Sequence, residues 1–95
     1  MLNKKLFQKL TSEPGTIAKI NDMYTLESYQ DAIIKNRIHV QIVIESGYKY
    51  QTAINNKYQL DITNLDSMVE SIREAIQKHA EEIESNMLLQ FNIDR

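Results

Sequence analysis

The sequence has no cysteine and no tryptophan, a single proline and two glycines. Without cysteine there is no disulfide framework, no thiolate nucleophile and no cysteine-based zinc site. Two glycines build no phosphate-cradling loop beyond a single turn. Long apolar runs are missing too. The longest are three residues, as in Ala32-Ile33-Ile34, against the ~18 that a membrane-spanning helix needs. Met1 to Leu10 carries lysines but no apolar core, so it does not read as a secretory signal, and a cytoplasmic location is expected. Charge of one sign is also scarce. Lys and Arg number 11 against 13 Asp and Glu, a net charge of −2. That balance argues against non-specific nucleic-acid binding, which needs clustered cations. It is also not acidic enough for a nucleic-acid mimic.

What is present suits one small domain over residues 1–95, with 42% hydrophobic and 25% charged residues. A chain of this size buries roughly 65% of its unfolded surface, so its stability is modest and a partner can add to it. Ile, Lys, Asn and Tyr supply 34 of 95 residues. Their codons are AT-rich, which points to an AT-rich bacterium, a phage or a mobile element.

The break at Ser12-Glu13-Pro14-Gly15 punctuates the chain. Before it, Leu2, Leu6 and Leu10 recur at helical spacing beside Phe7, predicting a short amphipathic helix. Residues 16–24 fit a helix or a short strand. Thr25 reads as an N-cap for Leu26, Tyr29 and Ile33 at helical spacing, with Asn36 as a left-handed stop. That spacing predicts a helix over 26–35. From Arg37 to Glu45 the pattern alternates, with Ile38, Val40, Ile42 and Ile44 opposite His39, Gln41 and Val43. Tyr48, Tyr50 and Ile54 alternate in the same way, and Tyr58, Leu60 and Ile62 continue. Three such runs predict an antiparallel meander with one buried face. A loop at Glu45-Ser46-Gly47 pairs Ile44 with Tyr48, Ile42 with Tyr50 and Ile38 with Ile54, keeping the apolar set on one side. Asn55-Asn56-Lys57 then pairs Ile54 with Tyr58.

Thr63 and Asp66 have the spacing of a capping box. Leu65, Met68, Val69, Ile72, Ile76, Ala80 and Ile83 follow as a stripe, predicting a helix over 64–85. Its ~33 Å exceeds the ~27 Å of an eight-residue strand, so it is expected to overhang the sheet. Leu89, Phe91 and Ile93 alternate and are read as a possible edge strand. The expected class is α+β: a three- to four-stranded antiparallel meander with a long C-terminal helix and shorter N-terminal helices on one face.

Chemistry-bearing constellations are few. No G-x-S-x-G, P-loop, HExxH or G-x-G-x-x-G motif occurs. His39 falls on the polar strand face and His79 at the edge of the last helix's apolar stripe. His79 and Glu82 share a helix face, but two ligands do not make a metal site. No catalytic residue, metal or cofactor is therefore assigned. Tyr48, Tyr50 and Tyr58 share the isoleucine face; they either fill the core edge or form an aromatic patch for a partner. Glu81, Glu82 and Glu84 near a helix C-terminus oppose its dipole. They are either a solvated end or an acidic patch for a basic partner. Ile83, Met87, Leu88, Leu89 and Phe91 are candidate self-association residues, because apolar helix ends pair across two-fold axes.

These features favour a non-enzymatic protein–protein interaction module: a small regulator or inhibitor, phage- or mobile-element-encoded, that docks on a larger protein and can form a homodimer. The alternative is a nucleic-acid-binding regulator using Arg37, Lys49 and Lys57 on a mildly basic open sheet face that the pattern predicts to lack aromatics. Three lysines on a ten-residue helix are too few for membrane attachment.

Overall fold

The computed structural model describes residues 2–45 and 55–93, the last eight of these (86–93) by their backbone alone. Six elements follow one another: α1 (Lys4–Ser12), β1 (Ile17–Lys19), β2 (Tyr24–Gln30), β3 (Ile38–Ile44), β4 (Lys57–Gln59) and α2 (Leu65–Ile93). The strands form one antiparallel sheet in the order β1-β2-β3-β4. The class is α+β, as the patterning predicts.

Local chemistry starts each element. Asn3, with extended backbone, accepts the Leu6 amide on its side chain at 2.9 Å and caps α1. Gly15 turns the chain after Pro14 with φ of +88°, in the left-handed region that glycine enters without strain. Ser28, only 4% exposed in β2, ties that turn to the sheet. Its hydroxyl donates to the Glu13 carbonyl at 2.9 Å and accepts the Thr16 amide at 3.0 Å. A buried hydroxyl persists here because both its donor and acceptor capacities are met.

Both helices pack on the sheet face that carries Leu26, Val40, Ile42 and Tyr58. Leu10 of α1 and Met68 of α2 are fully buried against Leu26, Val40 and Ile42. Each such side chain contributes about 1.5–3 kcal/mol of hydrophobic stabilisation. Of the predicted inward set, Val40, Ile42 and Ile44 are buried and Ile38 is half-buried, and Leu2, Leu6 and Phe7 pack on the core as the first stripe requires. No helix among the described residues is long and apolar enough to cross a membrane.

Four expectations are corrected. Residues 26–30 are strand β2, not helix, and 31–37 form the β2–β3 loop. The spacing of Leu26, Tyr29 and Ile33 mimics a helical stripe, while the polar Ser28 conceals the alternation Tyr24, Leu26, Ser28. Asn36 is left-handed, φ 68°, but in this loop and not at a helix end. At Ile42 both edges of β3 are occupied, by Leu26 of β2 and Tyr58 of β4, so Ile42 does not pair with Tyr50. Tyr48, Tyr50 and Ile54 themselves lie outside the described residues. The cap of α2 is Asn64, whose side chain accepts the Ser67 amide at 2.8 Å, and not Thr63. Finally, residues 89–93 continue α2 and form no edge strand. Alternation over three apolar residues is too short a signal to end a helix that is already running.

The buried stripe of α2 is also rotated from the expected one. Met68, Ala75 and His79 are buried, while Val69 is 40% exposed and Ala80 is exposed.

Candidate functional site

The face opposite the helices is uncovered among the described residues. Strand pairing sets Ile17 beside Glu27, Tyr29 beside His39, and Val43 between Thr25 and Lys57. Tyr29 therefore stands on the open face, which corrects the expectation that this face lacks an aromatic. Its ring lies 5.4 Å from that of His39 at an interplanar angle of 35°. Gln59 of β4 donates its side-chain amide to the Tyr29 hydroxyl. Tyr29 is thus held from β3 beside it and from β4, one strand further across the sheet.

His39 is held in turn. Its Nε2 donates to Asp31 Oδ2 at 2.6 Å. The other Asp31 oxygen accepts the Ile33 and Ile34 amides at 2.8 and 2.7 Å. Those amides, the Ile34 one foremost, together with His39 hold the Asp31 carboxyl well below the usual carboxylate range. Gln30 Nε2 donates to the Ile34 and Arg37 carbonyls at 3.3 and 2.9 Å, and the Asp31 amide donates to Arg37 O at 2.8 Å. The loop is closed by its own hydrogen bonds. It nevertheless presents Ile33 at 92% exposure and Ile34 at 45%.

A second polar cluster lies under β4. Tyr58, 8% exposed, shares its hydroxyl proton between Glu82 Oε2 at 2.8 Å and the Asn55 carbonyl at 2.9 Å. Burial first, and Glu82 second, push the Tyr58 phenol above its ordinary range. The His79 Nδ1 donates to the same Asn55 carbonyl at 2.9 Å. Its Nε2 is buried with no partner among the described residues. No third imidazole or carboxylate joins His79 and Glu82 among those residues. The arrangement clamps the entry of β4 onto α2.

The sequence-derived candidates separate accordingly. Tyr58 and Glu82 belong to this clamp, Tyr58 buried and Glu82 half-buried. Glu81 and Glu84 are exposed on α2, and Ile83 is half-buried. Met87, Leu88, Leu89 and Phe91 lie on the α2 backbone. Tyr48, Tyr50 and Lys49 fall outside the described residues. Arg37 and Lys57 are exposed at the loop and on the open face. Tyr29, Asp31 and the isoleucine tip were missed because 26–35 reads as a helix. Asp31 two and three residues before Ile33 and Ile34 is the Asx-turn spacing that marks them.

Compared with protein-family models, curated proteins and solved structures, the chain matches none.

Proposed function

We propose that the chain is a non-enzymatic interaction module, a small cytoplasmic regulator or inhibitor that docks on a larger protein. The observation that carries this reading is Tyr29, fixed on an uncovered sheet face by Gln59 and His39. A fixed tyrosine offers large contact area at little entropic cost on binding, which is why tyrosines anchor interfaces. Ile17, 69% exposed, adds apolar area to the same face. Apart from His79 Nε2, the polar groups described at the two clusters are engaged in holding structure, which fits a scaffold for binding. The AT-rich composition fits a phage or mobile-element origin.

The test is capture by the tagged chain in an AT-rich bacterial host, with Tyr29→Ala as control and folding checked by circular dichroism. Loss of a captured protein on Tyr29→Ala supports the reading. Undiminished capture, or turnover abolished by substituting His39, counts against it.

A second reading is nucleic-acid binding, and Tyr29 favours it as well, because bases stack on exposed rings. Lys57 and Arg37 would then meet phosphates. Affinity for single-stranded DNA that falls steeply with salt supports this reading; no binding at low salt removes it.

A further inference from the structure

The β2–β3 loop pairs an apolar tip with positive charge. Ile33 and Ile34 are exposed, Lys35 and Arg37 follow them, and both cations are exposed. Among the described residues neither cation meets a carboxylate within 4.0 Å. Asp31, the loop's own carboxylate, is turned inward onto the Ile33 and Ile34 amides and His39.

The same end of the sheet carries the opposite charge. The Leu60 amide donates to Val40 O, so the chain leaves β4 near the Ile38 end of β3, where the loop enters. Asp61 follows. It lines a shallow recess of about 160 Å³ with Glu70 and Glu74 on the first turns of α2. Among the described residues the ion pair these acids make is that of Glu70 with Arg73, at 3.7 Å and exposed. Exposed pairs of this kind are weak and exchange readily.

We infer that this end of the molecule binds a second copy of the chain across a two-fold axis. The Ile33 and Ile34 tips pack on each other at the axis. Lys35 and Arg37 of each copy face Asp61, Glu70 and Glu74 of the other. An isologous contact requires that both halves of the complementarity lie on one patch, and here the apolar tip, the cations and the acids share one end. The loop enters the contact already ordered, so little entropy is lost on association. The inference is independent of docking through Tyr29, which lies on the open face.

The test is sedimentation velocity of the full chain over a range of concentrations, at low and high salt. Three folded variants are compared: Ile33→Asp, Lys35→Glu/Arg37→Glu and Glu70→Lys/Glu74→Lys. The wild type should reach twice the 11.1 kDa chain mass, and less readily at high salt. Each variant alone should be monomeric. An equimolar mixture of the two charge variants should recover the dimer, since each loop then faces acids or bases of opposite sign. Lys57→Glu on the open face should leave the dimer intact. A wild-type monomer at every concentration overturns the inference, even if Tyr29-dependent capture of a larger protein persists. A dimer that survives Ile33→Asp and both charge variants also overturns it. Failure of the mixture to recover the dimer overturns the charge pairing.

Discussion

Asp31 and Tyr58 couple folding to pH from opposite ends. Asp31 is held below its ordinary value, so the folded state favours its charged form. Its contribution is complete above the unfolded value of about 3.9 and is lost as pH falls through the lower folded value. Stability should therefore drop below about pH 4, and Asp31→Asn should flatten that acid limb in urea titrations. The same substitution should speed amide exchange at Ile33 and Ile34, whose amides both rest on Asp31 Oδ1. Tyr58 works in the alkaline direction. Its raised folded value means its contribution is complete below about pH 10 and is lost as pH rises further. Tyr58→Phe should remove that alkaline slope. It should also cost about 1–3 kcal/mol near neutrality, because half-buried Glu82 loses its donor. Equal urea midpoints for Tyr58→Phe and wild type would refute the clamp. The role of Asp31 has a local signal, its Asx-turn spacing, which the helical reading of 26–35 hides, whereas the role of Tyr58 has none. Asp31 bonds to backbone amides inside a loop, and Tyr58 meets Glu82 across 24 positions.

At the scale of elements, legibility follows how many residues repeat a pattern without interruption. β3 shows seven alternating positions, and Leu2, Leu6 and Leu10 keep helical spacing into and along α1; both were readable. β2 was not, since one buried serine sits where an apolar residue is expected. That serine is required by the Gly15 turn, a tertiary reason that no local window contains. In α2 the apolar arc is wide enough that its centre is ambiguous. Packing against β3 and β4 resolves it toward Met68, Ala75 and His79. Met68→Ala should therefore cost about 2–5 kcal/mol, as fully buried large-to-small changes do. Val69→Ala, one position away, should cost only about 0.5 kcal/mol. Paired denaturant curves check the difference, and equal losses would mean that the stripe is centred elsewhere.

For the whole molecule, the class and the single buried sheet face were legible because both follow from hydrophobic periodicity. The open face was misjudged as a direct result of the β2 error, which removed Tyr29 from it. Within the sheet, β3 is paired along both edges and lies under both helices, whereas β1 is a three-residue edge. Native-state hydrogen exchange should follow that order, with β3 amides opening only near global unfolding and β1 amides opening early. Early exchange at Val40 and Ile42 would refute this ranking.

β4 also ties the two faces of the sheet together. Its adjacent residues Tyr58 and Gln59 grip different partners, α2 on the inside and Tyr29 on the outside. Beyond Glu82 the backbone of α2 runs on to Ile93 for roughly 16 Å. A tilt of about 10° at the clamp would displace that end by roughly 3 Å, from the rise per residue alone. A strand three residues long is thus the short link between a tyrosine on one surface of the sheet and the helix on the other.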